Sequence, residues 1–555
     1  MMKALLAALL ASIALPAAAQ EAVLESAQPP APAPVPSNAV TPRTPPKLIV
    51  AISVDQFSAN LFAQYRNRFT DGFARLLQGA VFPAGYQSHA ATETCPGHST
   101  ILTGMRPGRT GIIANNWINQ DAPREDKEVY CSEDERIPGT DHRNYKVADL
   151  HLKVPTLGEM MKAANPASRV VSVAGKDRAA IMMGGHQVDE LWFWDGKDFV
   201  SYDQRPVPPA VQRGREAVAR LIAQPQEPLA VPAFCRPLMQ PITVGGQTIG
   251  DGRFARAAGD LRAFRGSPAL DGAVFAIAAG LIQDMKLGKG DAPDIISIGA
   301  SATDYVGHGY GPGGGEMCLQ MAELDKTLGG FFAALDSWGI DYQVVLTADH
   351  GGHDATERQQ QRGMPGETRV TPALSVRDIG AEIGKQLRIA GPVLLGSEGD
   401  VYVSNTVPAN RRKAVLAEAV KRISAFPQVA TVLTREQIAA ATIPDLPPEA
   451  WTLEQRAHAS YDPERSGDLL IMLKPRVSGI AKPGPGYVAT HGSPWDYDRR
   501  VPILFWRKGM AGFEQPQSIE TVDIVPTLAA TINLPVKKLD GRCLDLDSGA
   551  GDTCR

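Results

Sequence analysis

Leu48-Ile-Val-Ala-Ile-Ser-Val54 runs directly into Asp55, Asp294-Ile-Ile-Ser-Ile298 is followed by Asp304 and His308, and Gln343-Val-Val-Leu-Thr347 is followed by Asp349 and His350. Each run is short and rich in β-branched residues, the mark of a buried strand. In open α/β sheets, ligands bind at the carboxyl ends of the strands. Three strands that each end in carboxylate or imidazole groups therefore predict one site at one sheet edge. His491, in Thr490-His-Gly-Ser493, adds a third imidazole from far downstream. Three carboxylates and three imidazoles suffice for two adjacent divalent cations.

The rest of the chain supports that reading of the fold. Thr156-Leu-Gly-Glu159 has the capping-box spacing that opens a helix, and Arg169–Val173 reads as the strand after it. A helix is expected over 271–287, with Val274, Ala278, Leu281, Ile282 and Met285 at helical spacing. Another is expected over 316–335, with Met321, Leu324, Leu328, Phe331 and Leu335 on one side. Such alternation predicts an α/β fold with a mainly parallel central sheet, helices on both faces and cap or insertion segments. The insertions are expected at about 195–266, Pro-rich and irregular, and at 359–485, with its own strand and helix signals at 400–404 and 410–426. A strand over 501–506 and a helix over 521–528 close the pattern, and no repeat of solenoid period occurs.

The 555 residues are 44% hydrophobic and 21% charged, values of a globular protein with a large core. The formal net charge of -4 gives no basic footprint, so nucleic acid is not an expected partner. Lys3, the apolar Ala4–Leu15 and Ala17-Ala18-Ala19 form the n-region, h-region and cleavage site of an export signal over 1–19. Pro29, Pro30, Pro32, Pro34, Pro36, Pro45 and Pro46 make 20–47 a disordered tether before a catalytic domain at 48–555. No later stretch is long and apolar enough for a bilayer span, so membrane insertion is not expected. An exported, periplasmic or secreted protein with six cysteines suggests up to three disulfides. Six cysteines allow fifteen pairings, so residue order leaves the connectivity open; Cys543 with Cys554 would staple the C-terminal tail, and Cys95 with Cys131 and Cys235 with Cys318 are candidate pairs.

The remaining chemistry clusters in three short segments. In Ala90-Ala-Thr-Glu-Thr-Cys-Pro-Gly-His-Ser-Thr100, Pro96 suits a first helical turn, which makes Thr94 an N-cap. A hydroxyl there is either only a cap or, aided by the helix terminus and a cation, a nucleophile. Thr92, Ser99 and Thr100 are rivals. Lys176 and Arg178, in Ala174-Gly-Lys-Asp-Arg178, are either solvated or aimed at phosphate oxygens. Asn115, with Asn116 as an equal competitor, is either a turn residue or a further donor. His98, His142, His151, His186, His353 and His458 are expected at the surface or at helix caps, with His353 a candidate for a supporting role near the site. Nitrogen and oxygen ligands without thiolate suit zinc, with manganese as an alternative.

These segments together resemble the alkaline phosphatase superfamily, in particular its exported phosphothreonine-type alkaline phosphatases. The likeness rests on Val54-Asp55, the segment from Thr94 to Gly104, Gly111 to Asn115, Gly175 to Arg178, Asp304 to His308, Ala348 to Gly352, and His491-Gly-Ser-Pro-Trp-Asp-Tyr-Asp-Arg-Arg-Val-Pro502. The resemblance implies an alkaline-phosphatase-like fold and two Zn2+ per chain. One would be held by Asp304, His308 and His491, the other by Asp55, Asp349 and His350 with Thr94 as ligand and nucleophile. It also implies hydrolysis of small-molecule phosphate monoesters through a phosphothreonine, with Asn115, Lys176 and Arg178 on the remaining oxygens. A monomer is expected. A nucleotide pyrophosphatase/phosphodiesterase of the same superfamily is the alternative, disfavoured because Lys176 and Arg178 sit where a diester carries its second substituent. Cys95-Pro-Gly-His-Ser99 lacks the Cys-x-Pro-x-Arg pattern of a sulfatase, and a non-catalytic zinc-binding protein would not need Thr94.

Overall fold

The computed structural model describes residues 44–397, 399–549 and 551–554. The expected leader, and the tether through residue 43, lie outside the described residues. The tether's last residues are already tied to the domain. Lys47 donates its backbone N–H to Asp341 O at 3.0 Å, and Arg507 donates to Thr44 O at 2.7 Å.

Ten strands form one sheet. In chain order they are β1 (Leu48–Val54), β2 (Ala80–Tyr86), β3 (Val170–Ala174), β4 (Glu190–Trp194), β5 (Phe199–Val200), β6 (Asp294–Ala300), β7 (Tyr342–Thr347), β8 (Arg500–Arg507), β9 (Phe513–Glu514) and β10 (Ile519–Glu520). Their spatial order is β9-β2-β8-β7-β1-β6-β3-β4-β5, with β10 also on β2. The run β7-β1-β6-β3-β4 is parallel throughout, while β8 runs antiparallel to both β7 and β2. Two reversals bring β2 back to the direction of β1, so its carboxyl end faces the same edge.

All seven residues of β1 are buried, as expected of a strand covered on both faces. Leu48, Val50, Ile52 and Val54 join one core; Ile49 and Ala51 join the other. On the first face lie α4 (Pro268–Asp284) and α6 (Gly315–Ser337); on the second lie α1 (Thr94–Ile101), α2 (Leu157–Ala164) and α3 (Asp177–Gly184). The fifth of these helices in chain order, α5 (Ala302–Tyr310), leaves the end of β6. The capping box at α2 forms, and Glu159 accepts the Thr156 N–H at 2.8 Å.

The segment 195–266 is more ordered than its composition suggests. It contains a 14-residue helix, Pro209–Ile222, whose Ala210, Val211, Val218 and Ile222 are buried. Pro209 occupies the first turn, where its missing N–H costs nothing, so a proline-rich stretch here starts a helix instead of preventing one. Within 359–485 a separate antiparallel sheet orders Leu394–Ser397, Asp400–Val403, Leu469–Leu473 and Val429–Thr434 side by side. With the helices Val376–Leu387 and Ala409–Ser424 it encloses its own apolar cluster. Disulfides join Cys95 to Cys131, Cys235 to Cys318 and Cys543 to Cys554. Among the described residues no helix is long and apolar enough to cross a membrane.

Candidate active site

Parallel register assembles the site. Val54 pairs with Ala300, Ser53 with Thr347 and Gly299 with Ala174, so β1, β6, β7 and β3 end at one level. The residues that follow are Asp55, then Asp304 and His308 on α5, then Asp349 and His350, and finally Lys176 with Arg178 on α3. His491 returns from the downstream segment, and its Nδ1 lies 2.9 Å from Thr92 O.

Two groups of ligand-type atoms result. In the first, Asp304 Oδ1 lies 3.4 Å from both His308 Nε2 and His491 Nε2, and those two nitrogens are 3.2 Å apart. In the second, Asp349 Oδ2 lies 3.1 Å from His350 Nε2, and Asp55 joins Asp349 around His98. The rings of His350 and His491 stack with centroids 3.6 Å apart, linking the groups. Nδ1 of His308, His350 and His491 each meets a backbone carbonyl, of Ala489, Gly351 and Thr92. That leaves Nε2 facing inward, the tautomer arrangement of a metal-binding histidine. Burial lowers the pKa of His308 and takes that of His491 down to about 4, whereas at His350 burial is outweighed by the Asp349 carboxylate and the pKa is raised. Both oxygens of Asp55, Asp349 Oδ2 and His350 Nε2 are buried without a hydrogen-bond partner. They have only charge contacts, Asp55 with Lys176 and His98 and Asp349 Oδ2 with His350 and His98, and buried carboxylate oxygens with no directed hydrogen bond fit a divalent cation pair.

Lys176 occupies an unexpected position. Its ammonium is 2.5 Å from Asp304 Oδ2 and 3.1 Å from Asp55 Oδ2, bridging the two groups. Burial opposes its charge, but the carboxylates of Asp304 and Asp55 outweigh burial and raise its pKa. Asp304 is driven the other way: burial favours its neutral form, yet His308 and Lys176 hold it well below the usual carboxylate range.

Helix α1 begins at Thr94, so Glu93 and not Thr94 is the N-cap. The Cys95 N–H is satisfied instead by Asn115 Oδ1 at 2.9 Å, and Asn115 N–H donates to Glu93 Oε2 at 2.8 Å. With Oδ1 committed, Nδ2 is the donor that the Asn115 amide offers. Asn116 turns to Glu128. The rival hydroxyls are engaged structurally: Thr92 with Ser493 O, Ser99 with Pro96 O, and Thr100 with Gln87 and Gly97. Thr94 Oγ1 lies 3.5 Å from Arg178 Nη2. Thr94, Asn115, Arg178, His308 and His491 all line one cavity of about 470 Å³, which extends to Leu470, Met472 and Leu473 of the second sheet.

Two histidines depart from expectation. His98 is fully buried, with Nε2 3.3 Å from Asp55 Oδ1 and Nδ1 3.4 Å from Asp349 Oδ2. One helical turn separates it from Thr94, and that spacing is the only trace in the sequence. His151 is also buried, against Glu135 at 3.2 Å, away from this site. His353 lines the cavity and pairs with Glu367 at 2.6 Å.

The pattern of the type I phosphodiesterase / nucleotide pyrophosphatase family matches residues 49–494. The chain is 57% identical over 519 residues to alkaline phosphatase PhoK of Sphingomonas sp., covering 92% of this chain and 93% of that protein. It is 48% identical to alkaline phosphatase PhoD of Zymomonas mobilis, covering 93% and 91%. Its fold superposes on the crystal structure of wild-type alkaline phosphatase PafA with a TM-score of 0.79 and 24% identity, over 91% of this chain and 99% of that one.

Helix α1 approaches β7's exit so closely that a Cβ at Gly97 would overlap the carbonyl oxygen of Asp349. Gly97→Ala is therefore expected to cost about 1–3 kcal/mol of stability by overpacking and to shift Asp349. A denaturant midpoint equal to that of the parent protein would contradict this packing.

Proposed function

The chain belongs to the type I phosphodiesterase / nucleotide pyrophosphatase family of the alkaline phosphatase superfamily, and from that premise we propose that it is a zinc-dependent alkaline phosphatase that hydrolyses a broad range of phosphate monoesters through a phosphothreonine on Thr94. The observation that carries this reading is the position of the Thr94 hydroxyl. It faces Arg178 in a cavity shared with His308 and His491, while its rivals are bonded elsewhere. The names of the 57% and 48% identical relatives, both alkaline phosphatases, support the same conclusion.

Asp304, His308 and His491 would hold one zinc ion; Asp55, Asp349, His350 and Thr94 would hold the other. The nitrogen and oxygen donor set suits that metal. When bound, the pair supplies Lewis-acid stabilisation to the attacking and departing oxygens. The protein's own residues do the positioning, which is most of the work in a loose phosphoryl transfer. Thr94 Oγ attacks phosphorus as the ester P–O bond breaks and the alcohol leaves with a proton. Water then cleaves the Thr94 Oγ–P bond, releasing phosphate and restoring the hydroxyl. Arg178 grips nonbridging oxygens with its planar guanidinium, and Asn115 donates from Nδ2. Lys176 holds Asp304 and Asp55 together and adds positive charge beside the transferred group. Three paired disulfides fit an oxidising compartment, so export belongs to the same reading.

Excess chelator should abolish hydrolysis of an aryl phosphate and zinc should restore it; full turnover in chelator would reject the metal. Thr94→Ala should retain bound zinc yet lose roughly 10³-fold or more in kcat/KM, whereas near-parental turnover would move the nucleophile elsewhere. Arg178→Ala should cost a monoester about 10²-fold and its diester much less. Equal losses, or a parent protein that prefers the diester, would favour a nucleotide pyrophosphatase/phosphodiesterase.

A further inference from the structure

Gln56 follows Asp55 and is buried. Its φ is +64°, a left-handed conformation that residues other than glycine rarely adopt. Strain of this kind persists only where the surroundings hold it, and here both halves of the residue are engaged. The backbone N–H donates to Asp349 Oδ1 at 3.0 Å, and the side-chain Nε2 donates to Asp304 Oδ1 at 3.0 Å. One residue thus grips a carboxylate of each ligand group, and those carboxylates lie beyond the ends of different strands, β6 and β7, on either side of β1.

The space for this grip is built from two glycines. A Cβ at Gly307 would overlap the side-chain amide oxygen Oε1 of Gln56, and a Cβ at Gly352 would lie 2.7 Å from Gln56 Cγ. Gly307 precedes His308, and Gly352 follows Gly351, whose carbonyl orients His350. The side chain therefore lies against the backbone of both ligand-bearing segments. At Asp349 the division of labour is clear. Oδ1 accepts N–H groups from Gln56 and His350, at 3.0 and 2.9 Å, while Oδ2 faces the imidazoles of His350 and His98. At Asp304, Oδ2 is taken by Lys176, and Oδ1, the oxygen facing His308 and His491, is steered by the Gln56 amide. An anionic oxygen has lone pairs for both an amide and a cation.

We propose that Gln56 is a positioning residue: its left-handed backbone and its amide together set the spacing of Asp304 and Asp349, and hence of the two metal positions. This rests on the two-metal reading above. Such outer partners of metal ligands typically contribute 10- to 100-fold in metal affinity. The backbone N–H survives substitution, so removal of the side chain is expected to act on one position only, that of Asp304, His308 and His491.

The test is competition of the full chain against a chromophoric chelator for zinc. Gln56→Ala should weaken one of the two zinc ions about 10- to 100-fold and leave the other within about threefold. Gln56→Gly should do the same while melting no lower than the parent, because glycine accepts a φ of +64° without strain. In an Asp304→Ala background, Gln56→Ala should leave the remaining zinc affinity unchanged. Unchanged affinity at both positions in both variants, or equal weakening of the two, would overturn the positioning role while leaving the two-zinc reading intact. A parent protein that takes up no zinc would overturn that reading itself.

Discussion

Three carboxylates removed from water at one sheet edge are the constraint around which this protein is arranged. Asp55, Asp304 and Asp349 are each no more than 2% exposed. A buried carboxylate costs several kcal/mol unless it is paired and hydrogen-bonded. The chain supplies part of the compensation itself. Lys176 bridges Asp304 and Asp55, while the N–H groups of Gln56 and His350 and the Gln56 amide neutralise further lone pairs. What remains is an excess of negative charge beside imidazoles whose Nε2 atoms point inward, and a pair of divalent cations is the complement proposed for it.

The fold meets this constraint through register. Parallel strands of matched length deliver their exits to one level, and right behind that level the sheet is packed on both faces, so the ligands rest on a rigid base. Groups that approach from outside the sheet need close backbone contact. Helix α1 reaches the site only because Gly97 lies against the Asp349 carbonyl, and Gln56 fits only because Gly307 and Gly352 have no side chains. The Cys95–Cys131 disulfide lies next to Thr94 and ties the start of α1 to the end of the short strand Glu128–Tyr130, where the Cys131 N–H donates to Asn115 O at 2.9 Å. The hydroxyl, the amide and the guanidinium that face the cavity thus come from three different segments that are cross-linked to one another, by the disulfide, by Cys95 N–H to Asn115 Oδ1 and by Arg178 to the Tyr130 hydroxyl.

Much of this was legible from residue order. The apolar runs, their polar exits and the helices between them read correctly because strand and helix periodicities are local properties of the chain. Asp55, Asp304, His308, Asp349 and His350 lie together beyond the strand ends, while His491, which follows no strand, joins them from downstream only in the fold. Other features were hidden for physical reasons. His98 gave no sign of its burial, since its neighbours in space, Asp55 and Asp349, are distant in sequence. Lys176 read as a cation for an anionic substrate, but its contacts with Asp304 and Asp55 depend on β3 lying next to β6 in the sheet. The helix at Pro209–Ile222 was masked by the surrounding prolines. Thr94 could not be separated from Thr92, Ser99 and Thr100 by spacing, because only the folded hydrogen-bond network commits those hydroxyls elsewhere.

Residue order specifies the α/β architecture, the end of the sheet that carries chemistry and the kinds of atoms found there, because hydrophobic pattern and side-chain chemistry travel with the chain. Tertiary structure alone decided which hydroxyl faces the cavity, which imidazole nitrogens point inward, and that Lys176 and Gln56 span the two ligand groups. Those choices depend on strand order, on register and on how closely glycine lets one backbone approach another, and such distances between remote segments exist only once the chain has packed.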